Sequence, residues 1–168
     1  MSEHMMPVHF WVNGEAVNKP IPVRQHLVDF LREDLGLTGS HLGCEHGVCG
    51  ACQVLVDGVL VRGCLSLAVS ANGKTVQTIE GLSERAEFQQ LQKAFLAHNA
   101  FQCGFCSSGM LLSAYSIVQD YPKATRTDIR ELISGNYCRC TGYQSIVDAI
   151  EEVLIQNALH APNPVDPS

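Results

Sequence analysis

Residues 43–52 read GCEHGVCGAC: three cysteines, Cys44, Cys49 and Cys52, in a C-x4-C-x2-C run interleaved with Gly43, Gly47 and Gly50. A fourth cysteine, Cys64, follows one short hairpin later. This spacing lets a tight loop wrap thiolates around two irons bridged by two sulfides. Two ferric ions, two sulfides and four thiolates sum to a dianion, and one added electron makes a trianion, so the loop needs many donors. Glycine supplies them by reaching φ > 0 and turning backbone N–H groups toward sulfur.

The other four cysteines form a second set, Cys103-x2-Cys106 and Cys138-x-Cys140, which uses up all eight in the chain. Two rival chemistries compete. Four disulfides would need an oxidising compartment, and the opening MSEHMMPVHFWVNGE has neither a basic region before a long apolar run nor a twin arginine. Two zinc sites of four thiolates each are the stronger rival, but structural zinc favours paired knuckles, which the x4-x2 triplet and the Cys138-Arg139-Cys140 pair do not resemble.

Outward from the ligand runs, the sequence changes period midway. Pro7 to Val12 reads as a strand, Asn13-Gly14 as a hairpin turn and Glu15 to Asn18 as the return. His26 to Leu35 reads as a helix stopped at Gly36; Gln53–Val56 and Leu60–Val61 flank a second turn at Asp57-Gly58, and Lys74–Ile79 is a last strand. This is the element order of a β-grasp ferredoxin module, expected over residues 5–80. After a polar linker, Gly81 to Ala86, come four helical patterns: one through Phe88, Leu91 and Phe95, one through Met110 to Tyr121, one from Ile129 to Ser134 behind the Thr125-x-x-Asp128 capping pattern and closed by Gly135, and one through Ile146 to Leu154. They predict a four-helix bundle over 87–158. The fold class is therefore α+β, with a proline-rich flexible tail at 161–168. Cys103 and Cys106 precede one helix, and Cys138 and Cys140 another, so two helix N-termini are expected to face one anionic cluster.

With 168 residues, a net charge of −6, no Lys/Arg run and no apolar stretch near 18 residues, the chain predicts no nucleic-acid partner and no membrane span; it reads as cytoplasmic. His41 and His46 flank the first ligand run, but with four cysteines per site they read as loop surface rather than ligands. Arg139, between two ligands, reads equally as a charge partner or a solvated side chain.

QCGFCSSGM (102–110), GNYCRCTGYQSIVDAI (135–150), GCEHGVCGACQVLVDG (43–58) and CLSLA (64–68) together resemble the small iron–sulfur subunit of the xanthine oxidase family of molybdenum hydroxylases, over about Val8 to Leu154. The resemblance implies two [2Fe–2S] clusters, on Cys44, Cys49, Cys52 and Cys64 and on Cys103, Cys106, Cys138 and Cys140. It also implies a large partner subunit carrying molybdopterin, in its dinucleotide form, with Gln102 and Cys140 against the pterin, and a medium subunit carrying FAD, assembled as a dimer of heterotrimers. Electrons would pass from molybdenum to the second cysteine set, then the first, then FAD or another acceptor. No residue of this chain would activate substrate. Ser107-Ser108 stands where many relatives have Thr-Pro, and Tyr137 where Leu is common; neither changes a ligand. The rival readings are a freestanding two-cluster ferredoxin and a zinc-stabilised interaction module.

Overall fold

A computed structural model describes residues 4–160; the 161–168 tail lies outside them. The hairpin opens the chain, with β1 Met5–Val12 and β2 Glu15–Pro22 paired antiparallel from Met5↔Pro22 to Val12↔Glu15. Asn13 and Gly14 both take positive φ in the turn, as the two-residue connection requires. β2 runs past Asn18, through Pro20 and Pro22, because it is the sheet's edge and nothing asks its outer side for N–H groups. The helical segment begins as α1 Leu27–Asp29 and continues as one wider π turn, Phe30–Asp34. β3 Gln53–Val56 and β4 Val59–Arg62 form the second hairpin, and a 3-10 turn at Ala68–Ala71 leads to β5 Thr75–Gln77.

The strands make one mixed sheet in the order β2-β1-β5-β3-β4, with β1 and β5 parallel and the other pairs antiparallel. Strand alternation sends Val8, Phe10 and Val12 into a core with Leu27, Phe30, Leu31, Val54 and Val76, and the Phe10 and Phe30 rings lie 5.6 Å apart.

The stretch read as a linker is structured. α2 Ile79–Leu82 follows β5 directly, and its Leu82 is completely buried. Glu80 clasps the sheet half to this turn by accepting from Gly39 N at 2.8 Å. Four longer helical elements follow: α3 Ala86–Ala97, α4 Ser107–Asp120, α5 Arg126–Leu132 and α6 Gln144–His160. α5 carries the expected capping box, with Thr125 and Asp128 satisfying each other's backbone N–H. Gly135 does not take the left-handed conformation of a helix stop. A Cβ there would sit 2.6 Å from Arg62 Nη2, the movable end of a long side chain.

The helical core gathers Phe88, Leu91 and Phe95, Met110 and Leu112, Ile129, and Ile146, Val147, Ile150 and Val153, and it takes in Leu55 from β3. The chain is thus an α+β fold, a mixed sheet of ferredoxin type plus a helical region, whose two parts share side chains across their seam. Among the described residues no helix is long and apolar enough to cross a membrane.

Candidate metal centres

The first ligand loop leaves α1 and returns to β3. Gly47 (φ +85) and Gly50 (φ +74) take the conformation that turns amides inward, whereas Gly43 is needed for space: a Cβ there would lie 3.1 Å from the Phe105 ring and 3.4 Å from Cys49 Sγ. Cys52 and Cys64 are buried; Cys44 and Cys49 are half-buried. Burial pushes the Cys44 thiol up, but the amides of Cys49, His46 and Val48 and the Cys49 thiol outweigh it and bring the group down to about 6. Cys64 is pushed up to about 11 by burial and then by the Cys52 thiol beside it, against one amide from Gly47.

The second loop set lies at helix ends. Cys106 is the N-cap residue of α4, and Cys138 and Cys140 sit in the turn before α6. Cys138 accepts from Thr141 Oγ1 at 3.2 Å and Thr141 N at 3.5 Å, and with burial opposing, these contacts lower its pKa. Burial and the Cys138 thiol push Cys106 up to about 12. Contact with the Cys103 thiol raises that of Cys140. Cys103 and Cys140 are exposed, Cys106 and Cys138 half-buried.

In both sets the thiols associate two by two: Cys44 with Cys49 and Cys52 with Cys64, then Cys106 with Cys138 and Cys103 with Cys140. Two sulfurs on each of two metal atoms is what a sulfide-bridged iron pair requires. A tetrahedral zinc ion asks instead for four donors around one point. The donor sets fit [2Fe–2S].

The two sets are joined. Tyr137 N, next to Cys138, donates to the carbonyl of Cys49 at 2.9 Å. Gly109 in the first turns of α4 lies so close to the Gly50 carbonyl that a Cβ would collide with it. His41 stacks on Phe105, ring centroids 5.0 Å apart, and its Nδ1 meets the Phe105 carbonyl at 2.9 Å. His41 is thus half-buried in the seam, and His46 is exposed with its ring turned onto the Cys44 carbonyl. A buried polar cluster completes the seam. Ser113 Oγ donates to Asn136 Oδ1 at 2.8 Å, and the Gln53 amide fits with its nitrogen toward Gly109 O (2.9 Å) and its oxygen toward Arg62 Nη1 (2.7 Å).

Gln102 and Arg139 are both exposed. Sequence reasoning missed Arg62, Gln53, Ser113, Asn136 and Phe105, whose partners are distant in the chain. Gly109 alone left a signal, since a glycine early in a helix costs stability unless something must approach it.

Comparisons with known proteins give the same two halves. Residues 10–78 match the family model described as a 2Fe-2S iron-sulfur cluster binding domain, and residues 78–151 the one described as a [2Fe-2S] binding domain. The chain is 50% identical over 139 residues to the nicotine 6-hydroxylase small subunit of Paenarthrobacter nicotinovorans, covering 83% of this chain and 84% of that one. The chain belongs to the iron–sulfur small subunits of the xanthine oxidase family of molybdenum hydroxylases. It is also 47% identical to caffeine dehydrogenase subunit gamma of Pseudomonas sp. (strain CBB1), covering 91% and 92% of the two chains. Among solved structures, quinoline 2-oxidoreductase from Pseudomonas putida 86 superposes with a TM-score of 0.85 at 46% identity, covering 94% of this chain and 98% of that one. As a member of these small subunits the chain serves electron transfer in an oxidoreductase.

Proposed function

We propose that this chain is an insulated conductor between two partners. The set Cys103, Cys106, Cys138 and Cys140 faces a large molybdopterin subunit, and the set Cys44, Cys49, Cys52 and Cys64 faces the acceptor, FAD on a medium subunit. The observation that carries this reading is the 2.9 Å hydrogen bond from Tyr137 N to Cys49 O, which links a residue bonded to one ligand with a ligand of the other set. Each [2Fe–2S] group, when bound, accepts and releases one electron. The chain's own residues hold it. Loop amides and Thr141 stabilise thiolate charge, and Gly43, Gly50 and Gly109 let the two loops approach.

The outer end of each site supports the same orientation. Gln102, Cys103 and Cys140 are all exposed, beside Phe105 at 47% and Tyr137 at 58% exposure, which is the surface a pterin-bearing partner would cover. Val48 and Leu65, at 43% and 63%, stand exposed beside the first loop and suit the acceptor's partner. The ligand assignments, the Gln102 and Cys140 contacts with a molybdopterin dinucleotide, domain limits of 5–80 and 87–158, a four-helix bundle, assembly as a dimer of heterotrimers and a cytoplasmic location all belong to this proposal. Three similar proteins are named for nicotine, caffeine and quinoline, all nitrogen heterocycles; the same substrate class is proposed for this complex.

The test is to purify the complex from its host, identify the partner chains and cofactors, and challenge it with N-heteroaromatic compounds while recording cluster bleaching. Substrate-dependent bleaching in a complex containing molybdopterin is expected. A monomer that is fully loaded, and reduces ordinary ferredoxin partners without a molybdenum subunit, would replace this reading with the freestanding shuttle.

A further inference from the structure

Arg62 closes β4 two residues before Cys64, and it is half-buried. Its Nε donates to the carbonyl of Gly47, inside the first ligand loop. Its Nη2 donates to the carbonyl of Gly135 at 2.9 Å, three residues before Cys138, and Nη1 lies 2.7 Å from the Gln53 amide oxygen. Every one of these partners is a neutral dipole. The ion pairs among the described residues are Lys19–Asp34, His26–Asp29, His98–Glu152 and those of Arg126 with Asp148 and Glu151, so no carboxylate there neutralises Arg62. A guanidinium stays charged at any working pH, and a half-buried cation without a counter-ion is costly unless negative charge arrives by another route.

We propose that Arg62 is the countercharge shared by the two cluster sites, and that it sets their reduction potentials. The inference rests on the cluster assignment above. Each loaded site is a dianion that becomes a trianion with its electron, so a fixed cation between them stabilises the reduced form more than the oxidised one. Arg62 also sorts the dipoles of Gly47: the carbonyl is drawn to the guanidinium while the N–H of the same residue faces the Cys64 sulfur. The first site feels the charge more, because Arg62 is held inside its loop and next but one to its ligand. Arg62 is a positioning and tuning residue, with no contact to substrate.

EPR-monitored redox titration of the intact complex tests this with three variants. In Arg62→Gln, the reduced-to-oxidised ratio of the first cluster at fixed potential falls about tenfold, about 59 mV for one electron, and the second falls less. Arg62→Lys keeps the charge and holds both ratios within about twofold. Arg32→Gln removes an arginine that also binds carbonyls, those of Thr38 and Ser40, at the start of the first loop and four or more residues before its first ligand, and leaves both ratios within about twofold. Unchanged potentials in loaded Arg62→Gln would overturn the proposal. So would an Arg62→Lys shift as large as that of Arg62→Gln, since charge would then not be the cause. Should Arg62→Gln fail to assemble, Arg62→Met, which also removes the charge, takes its place with the same expected fall, and unchanged potentials in it would overturn the proposal. Absence of any iron–sulfur signal from the wild-type complex would instead overturn the cluster reading itself.

Discussion

Side chains one atom too large or one amide too few decide whether the two ligand loops can meet. Gly109→Ala would drive a methyl group into the Gly50 carbonyl, and helix and loop would have to part. Overpacking of this kind costs about 1–3 kcal/mol, and chemical denaturation of the complex, with iron content measured alongside, is expected to show both a loss of stability and leakage of the first cluster. Gln102→Ala has the opposite signature. Its side chain is exposed, so cluster content should stay intact; if it meets the pterin edge, the unpaired group left at that junction costs about 1–3 kcal/mol and pterin retention falls. Normal pterin content and normal turnover in this variant would remove Gln102 from the site. The two sets of four cysteines proposed as ligands stand out in the sequence because their spacing along the chain is the motif itself. Arg62 was not, because its meaning lies in Gly47 and Gly135, residues that no local pattern connects to it.

Elements were read where a local rule acts alone and misread where tertiary context overrides it. Asn13-Gly14 and the Thr125 capping box needed no other part of the molecule to be recognised. The second strand, expected to end at Asn18, runs on through Pro20 and Pro22, which an edge strand tolerates. The 81–86 stretch looked like linker because it is polar, but Leu82 buries completely and makes it a packed connection between the halves. Gly135 looked like a helix stop, yet it does not take the left-handed conformation of one. At this scale the seam between β3, α4 and the turn after α5 is the vulnerable joint. Asn136→Ala leaves Ser113 and Gln53 facing an empty buried site, a cost of about 1–3 kcal/mol, and a lowered denaturation midpoint with a weaker coupling between the two halves is expected. The cap of α5 is a milder case. Asp128 is held below its ordinary range by the Thr125 hydroxyl and N–H, so its contribution is present above the unfolded carboxylate value and is lost as pH falls through the folded one. Asp128→Asn should flatten that acid-side dependence in pH-resolved melting curves.

The whole molecule is a conductor with two exposed ends and a closed middle. Cys103 and Cys140 lie exposed at one end, Val48 and Leu65 stand exposed beside the half-buried Cys44 and Cys49 at the other, and the Tyr137–Cys49 hydrogen bond spans the middle. Losing a ligand from each set should therefore have different consequences. Cys106→Ser should block the first electron step and disturb assembly with the molybdenum subunit, whereas Cys49→Ser should spare molybdenum reduction and block onward transfer; stopped-flow spectra with substrate separate the two. An assembled Cys49 variant whose molybdenum centre no longer reduces would reverse the order. The most direct test of the central claim is metal analysis together with EPR of the dithionite-reduced complex. The account predicts about four irons per chain and two distinguishable [2Fe–2S] signals, because the two loops differ in burial and donors. About two zinc ions per chain, negligible iron and no reduced-state signal would contradict it.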